Sequence, residues 1–471
     1  MRDSKGSFWM YSVLPYQIAY SPISTIIALF ILQLHGTVID VSYAMAAFYG
    51  ISIPAAVFWG WLIDTYNGRK SFVILSFLGV AIVLLGLSLT NSVAEAIILF
   101  GVLSFLVAAN ATPLSLLVME SIEERSWSAG FSRLQLLGSV GGTIGLFLAT
   151  VLGFLPLRLL MLLLIPFSIF AVSIATRIRE PQAEMGRRAI IKNRVALKVR
   201  FLMYHLFFIR IPDKKFLRSL VIRRGSGKSL PNLTVLYIAF FAFYLGSGIF
   251  NTAYVPGLDH EGFQNLYVFG IIFAGYAVQS LSFYLYGRLT QQSGEHKAIM
   301  NSLVLRGGGY VAIGLVFLVF SGMTSLALNL IVYSMTAGLA YAVFYIASST
   351  VLFETIGTEK RGRKLGLYSS IIGLSYLFGS LFAGYASYYI GYGFSFVISG
   401  VLIFGSMIVF VKFYDNEKKL PIKIKREGLH CIACKYYAEH VKVLESFVVK
   451  PRYICGIEDP ASKVKSEESY V

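Results

Sequence analysis

The sequence predicts an all-α polytopic membrane protein of twelve spans split six and six, and three observations lead there. Of 471 residues, 56% are apolar and only 14% charged, whereas soluble domains carry roughly a quarter charged residues. Mean hydropathy is +0.69, and the apolar residues sit in long blocks instead of the short alternating segments of a transmembrane barrel. The blocks divide evenly about a long basic interval.

A helix needs about 20 apolar residues, at 1.5 Å each, to cross roughly 30 Å of hydrocarbon. That rule places helices near 8–33, 41–63, 71–89, 93–118, 129–153 and 157–176, an N-terminal bundle over 1–176. Met1 to Ser7 is polar and the first block is too long for a cleaved signal, so that block reads as a retained helix. A basic linker occupies 177–232. A C-terminal bundle over 233–413 follows, with helices near 233–256, 265–289, 298–320, 325–352, 364–389 and 391–413. Residues 414–471 form a charged tail.

The net charge of +17 does not point to nucleic acid, because of where the charges fall. Arg69 and Lys70, Arg125 and Arg133, the linker, Arg288 and Lys297, Lys360 to Lys364 and the tail all fall on one side, and only Arg158 on the other. Basic loops stay in the cytoplasm. A multi-pass protein of the cell membrane, with both termini cytoplasmic, is expected. All three cysteines follow residue 430 and offer no disulfide framework for an outer domain.

The loop joining the second and third blocks runs Gly60-Trp61-Leu62-Ile63-Asp64-Thr65-Tyr66-Asn67-Gly68-Arg69-Lys70. Gly68 permits a tight turn, and Asp64 is a carboxylate at a helix end beside Arg69 and Lys70. Its spacing, Gly-x3-Asp-x3-Gly-Arg-Lys, resembles the loop between helices 2 and 3 of the major facilitator superfamily of transporters. Twelve spans split by a basic linker are a second resemblance, and internal repeats a third. Gly287-x3-Gln291-x2-Gly294-x2-Lys297 stands where that family carries a degraded copy of the first loop, and Glu120-x4-Arg125-x4-Gly130 is echoed by Glu354-x6-Arg361-Gly362-x3-Gly366. The resemblance implies two six-helix bundles related by pseudo-two-fold symmetry, rocking about a midplane cavity by alternating access. It also implies that Asp64, Arg69, Glu120, Arg125, Glu354 and Arg361 form charge clusters that latch the cytoplasmic side, with Asp64 facing the start of span 11.

By the same resemblance spans 1, 4, 7 and 10 line the cavity, helped by 2, 5, 8 and 11. Polar groups at mid-span are costly in lipid and tend to face protein or water. Those present are Tyr16, Gln17 and Tyr20 in span 1, Asn110 in span 4, Gln135 in span 5, Tyr244 and Asn251 in span 7, Gln279 in span 8, Tyr341 and Tyr345 in span 10, and Tyr376 in span 11. Together they describe an aromatic, hydrogen-bonding and largely uncharged pocket. Taken singly, such tyrosines are also common between helices and at the membrane interface.

No Asp or Glu falls near the middle of any expected span. Asp40, Glu95, Asp259 and Glu261 sit at outer ends, so coupling runs through a rim carboxylate or histidine, or the protein is a uniporter or exchanger. Arg306 is the one intramembrane charge, roughly 13 Å along span 9 from Lys297. It can snorkel to the cytoplasmic surface, pair with a carboxylate such as Glu354, or meet an anionic substrate. Gly307-Gly308-Gly309 and the glycines of span 5, Gly138, Gly141, Gly142 and Gly145, let helices approach closely.

The linker can lie on an anionic leaflet as an amphipathic helix or act as a plain basic tether. Within it, Gly225-Ser226-Gly227-Lys228-Ser229 lacks the full phosphate-loop spacing, because position 222 is Ile. In the tail, Cys431-x2-Cys434 with His440 and Cys455 would supply four ligands to a zinc ion, the alternative being free thiols. No other cofactor is implied. The expected function is a transporter, not an enzyme, moving a small organic, uncharged or amphiphilic solute through the lipid bilayer as a monomer. The alternative is a transporter-like solute sensor that signals through its tail.

Overall fold

The computed structural model describes residues 8–66, 69–121, 127–178, 232–289, 294–356 and 361–413. Among them every regular element is a helix, and twelve stretches are long and apolar enough to cross a membrane. These are span 1 (Trp9–Gln33), span 2 (Val38–Ile63), span 3 (Arg69–Leu89), span 4 (Val93–Val118), span 5 (Arg133–Val151), span 6 (Leu157–Ala175), span 7 (Leu233–His260), span 8 (Asn265–Leu285), span 9 (Glu295–Val319), span 10 (Gly322–Leu352), span 11 (Leu367–Ile390) and span 12 (Tyr392–Lys412). Hydrocarbon offers no water to the backbone, so each crossing must pair its own N–H and C=O groups, as a helix does.

Consecutive spans run antiparallel. The links at 34–37, 90–92, 152–156, 261–264, 320–321 and 391 are short and share one face, the short-loop face. The opposite face, which the chain meets at Trp9 and again on either side of 179–231, is the linker face. Gly391 alone joins spans 11 and 12; its φ of +90° lies where a side chain would be strained. On the same face Arg158 donates to the Thr90 carbonyl at 2.9 Å and to Asn91 Oδ1 at 2.6 Å, tying span 6 to the 90–92 link.

Two span boundaries differ from expectation for visible reasons. The second helix starts at Val38, three residues early, because Asp40 Oδ2 accepts from both the backbone N–H and the hydroxyl of Thr37, satisfying donors at the helix start. Span 7 continues through Pro256 to His260. A proline there removes one hydrogen bond, which a helix packed among others tolerates.

The packing repeats with an offset of six. In the first half, span 1 lies on spans 5 and 6, span 3 on spans 4 and 6, and span 2 on span 4. In the second, span 7 lies on spans 11 and 12, span 9 on spans 10 and 12, and span 8 on span 10. The halves meet through span 2 against span 11 and span 5 against span 8, two contacts that the same operation exchanges. The fold is therefore two six-helix bundles related by a pseudo-two-fold axis. Each bundle has a buried core; that of the second is rich in rings, with Phe250 stacked on Tyr310 at 3.8 Å and Tyr254 on Tyr333 at 4.7 Å.

Span 5 approaches span 1 so closely that a Cβ on Gly145 would stand 2.9 Å from the Cα and carbonyl carbon of Ile18. Backbone cannot yield there as a flexible side chain can. Gly145→Val is expected to destabilise the protein by about 1–3 kcal/mol through overpacking, read by thermal unfolding in detergent. Gly405→Ala, where nothing lies within 4 Å, should be neutral or slightly stabilising.

Candidate functional site

Two spans break their α-helix. Span 1 consists of a 3-10 turn Phe8–Ser12 and helices Val13–Tyr20 and Ile23–Gln33, interrupted at Ser21-Pro22, where the proline ring interrupts the backbone ladder. Span 10 is α-helical over Gly322–Tyr333, π-helical over Ser334–Ala340 and α-helical again over Tyr341–Ile356. In the π segment, hydroxyls take up backbone carbonyls: Ser334 Oγ donates to Leu330 at 2.7 Å and Thr336 Oγ1 to Val332 at 2.8 Å.

Ser21 of the first break and Tyr341, the residue directly after the second, border a cavity of about 500 Å³ between the halves. Its walls are Gln17, Tyr20, Ser21, Ile23 and Ser24 of span 1, Met45, Phe48 and Tyr49 of span 2, Phe100 of span 4, Gln135, Gly138 and Ser139 of span 5, Tyr276, Gln279 and Phe283 of span 8, Tyr341 and Tyr345 of span 10, and Tyr376 of span 11. Six of these residues are tyrosines, three are glutamines and none is charged. Such a wall offers aromatic faces and neutral hydrogen-bonding groups. Tyr49 and Tyr376 stack across the two halves at 4.6 Å, and Gln135 donates to the Tyr345 hydroxyl at 3.1 Å.

Of the residues singled out from sequence, Gln17, Tyr20, Gln135, Gln279, Tyr341, Tyr345 and Tyr376 line this cavity. The structure puts the other four elsewhere. Tyr16 is buried behind the wall, stacked between Tyr20 at 5.6 Å and Phe77 at 4.3 Å. Asn110 is buried and donates to Ser76 Oγ at 2.9 Å, joining spans 4 and 3. Tyr244 is buried in the second-half core, edge-on to Phe243 at 5.1 Å. Asn251 is exposed and stands outside the cavity wall. Span 7 contributes no lining residue, because it packs into spans 11 and 12. Sequence reasoning missed Tyr49 and Tyr276, which the same mid-span rule would have found in spans 2 and 8; Tyr276 and Gln279 share a helix face.

Two seams close the space between the cavity and the short-loop face. In one, Tyr43 and Tyr385 share a hydrogen bond at 2.6 Å and Gly384 meets Ser42; the same two spans also meet on the linker side of the cavity, Gly373 against Ile53. In the other, Ser139 and Ser280 pair at 2.5 Å, Thr143 Oγ1 donates to the Tyr276 carbonyl at 3.2 Å, and Phe147 meets Phe273 at 5.4 Å. On the linker side, helices Val13–Tyr20 and Tyr341–Ile356 pack mainly against elements of their own half.

Arg306 does not snorkel. It is 2% exposed, and its guanidinium donates to the Thr336 carbonyl of the π segment at 3.2 Å. Three rings surround it, Phe243 at 5.3 Å, Tyr310 at 5.1 Å and Tyr341 at 5.0 Å. A Cβ on Gly309 would collide with Thr336, so this glycine lets span 9 approach the π segment, while Gly307 meets Gly400 and Phe404 of span 12.

Among the latch residues, Gly60 is half-buried in the second helix and Arg69 and Lys70 open the third, at the linker face. Asp64, Glu120, Glu354 and Arg361 belong to helix ends on that face, and their side chains lie outside the described part. Gly68, Arg125, the linker and the tail set Cys431, Cys434, His440 and Cys455 lie outside the described residues. Nearby, Lys364 Nζ donates to the Ile356 carbonyl at 2.6 Å and closes the end of span 10. No cluster of His, Cys, Asp or Glu among the described residues is placed to hold a metal.

The family model of the Major Facilitator Superfamily matches residues 10–222 and 236–457. No curated protein sequence matches the chain. Among solved structures, the chain is similar to the nucleoside transporter NupG, with a TM-score of 0.64 at 12% identity, over 87% of this chain and 99% of that one. It is similar to a POT family transporter in complex with 5-aminolevulinic acid, with a TM-score of 0.63 at 13% identity, over 88% of this chain and 96% of that one. These likenesses are of fold.

The seam geometry is directly testable. With the three tail cysteines changed to serine, Ser139→Cys together with Ser280→Cys should form an intramolecular disulfide under mild oxidant. Mass spectrometry should show loss of both free thiols; persistence of both in folded protein would contradict the contact.

Proposed function

The chain belongs to the major facilitator superfamily, and we propose from that premise that this transmembrane solute transporter moves a small organic molecule by alternating access. The observation that carries the reading is the uncharged aromatic and amide cavity at the junction of the halves, beneath two closed seams. Its volume of about 500 Å³ falls within the roughly 300–1,000 Å³ of small-molecule sites. A solute with a flat face would lie on the tyrosines, and its polar groups would pair with Gln17, Gln135 and Gln279. A matching cavity wall is contributed by both halves, so a rocking motion about it would expose the solute to either side in turn.

We place the linker face in the cytoplasm. Arg69, Lys70, Arg133, Arg177, Lys297, Lys364 and Lys412 lie toward it, against Arg158 on the short-loop face, and basic loops are retained inside. The conformation then reads as closed to the outside, with Gln135 and Tyr345 bridging the halves on the cytoplasmic side of the cavity.

Purified full-length protein in vesicles should show saturable flux of at least one member of a panel of small organic solutes, measured with and without a pH gradient. Tyr20→Ala and Gln279→Ala should each lower that flux by about tenfold, the effect of losing one or two solute contacts of about 1 kcal/mol each, with folding intact by size-exclusion chromatography. Flux unchanged by both substitutions would exclude this cavity as the solute site. Deletion after Tyr414 should leave flux in place. Reporters fused to both ends should read out on the cytoplasmic surface; opposite sides would overturn the topology.

A further inference from the structure

Resting on that transport reading, we propose that the cavity selects solutes carrying a negative charge, a carboxylate or a phosphate, and that Arg306, set one aromatic ring behind the wall, is the selecting residue. Tyr341 lines the cavity, and its ring faces the guanidinium at 5.0 Å. Arginine stays protonated in proteins, so a full positive charge stands at the midplane, 2% exposed.

Among the described residues, no acidic side chain is placed to neutralise that charge. Its polar contact is the Thr336 carbonyl at 3.2 Å, and Arg306 Nε has no hydrogen-bond partner. The remaining contacts are the ring faces and the Tyr310 hydroxyl, neutral groups that soften a cation but do not cancel it. The sequence offered Glu354 as a partner, but it stands eighteen positions beyond Thr336 on the same span, roughly 27 Å at the helical rise. Asp40, Glu95, Asp259, Glu261 and Glu295 all sit at helix ends. An isolated buried charge is costly, and within membranes such residues mark solute and ion pathways. The π-helical turn that supplies the Thr336 carbonyl is a second sign, since such turns concentrate at functional sites.

The charge acts on the cavity without touching its contents. An anionic group in van der Waals contact with the far face of Tyr341 would be about 8 Å from the guanidinium. At an effective dielectric of about 20, that separation changes affinity roughly thirtyfold. No charged residue in the wall offsets it.

The test uses full-length protein in detergent and probe pairs of closely matched shape, benzoate with benzamide and phenyl phosphate with phenyl sulfamate, extended to metabolite-sized carboxylates and their amides. In thermal-shift titrations the anion of at least one pair should stabilise the wild type at a concentration about tenfold or more below its neutral partner. Arg306→Gln should bring that ratio near one while melting, without ligand, no lower than the wild type, because removing an unpaired buried charge removes its cost. Arg306→Lys should restore the preference in part. Should Arg306→Gln fail to fold, the wild-type ratio and Arg306→Lys decide. The proposal is overturned by equal or weaker binding of the anion, by a preference that survives Arg306→Gln, or by pairs that never shift the melting. A protein that transports amide and carboxylate alike loses the charge assignment and keeps the transport reading. One that binds the carboxylate but moves nothing across vesicles does the reverse.

Discussion

No backbone group can go unpaired in hydrocarbon, and the architecture follows from that constraint. Each crossing must be a helix wherever lipid touches it, and irregular winding is confined to places where protein or a polar cavity supplies partners. The described spans obey this. Ser21 of the break in span 1 lines the cavity, and the π turn in span 10 ends at Ala340, directly before the lining residue Tyr341. In the π turn the freed carbonyls are taken up by Ser334, Thr336 and Arg306. Irregular backbone thus falls at or next to the proposed solute cavity.

The contacts between halves add hydroxyl pairs to close glycine approaches of the kind found within them, such as Gly153 on Leu266. Inside a half, glycine faces lock backbone to backbone, as Gly145 does on Ile18, and buried rings fill what remains. Between halves, hydroxyl pairs such as Tyr43 with Tyr385 and Ser139 with Ser280 do much of the joining. A neutral hydrogen bond contributes only about 1 kcal/mol net, because water replaces it on opening. Under the proposed cycle such seams would part without disturbing either half.

Much of the fold was legible in the sequence because hydrocarbon thickness, block length and charge asymmetry are one-dimensional signals. The sixfold offset in helix packing is the spatial form of the sequence repeat. Cavity residues were legible where a polar side chain stood at mid-span on a helix that faces the gap, as with Gln17, Gln135 and Gln279. The rule failed for Tyr16, Asn110 and Tyr244 because it gives depth but not azimuth: each stands at cavity depth and turns toward a helix of its own half. Apolar lining residues such as Phe48, Phe100 and Phe283 carry no signal that separates them from core. The π turn in span 10 was equally silent, since its composition suits an α-helix.

Arg306 shows why depth and azimuth must be read together. Its stem is long enough to reach the linker face, and on a lipid-facing stripe it would do so. Here Gly309 presses span 9 against Thr336, and the side chain turns into the second-half core instead. A cation in the cavity wall itself would be hydrated by cavity water and its field screened. One ring behind the wall, between Phe243, Tyr310 and Tyr341, it stays dry and its influence extends further. A neutral surface backed by a buried charge would favour anions while still letting them go, since no direct ion pair has to be broken at release.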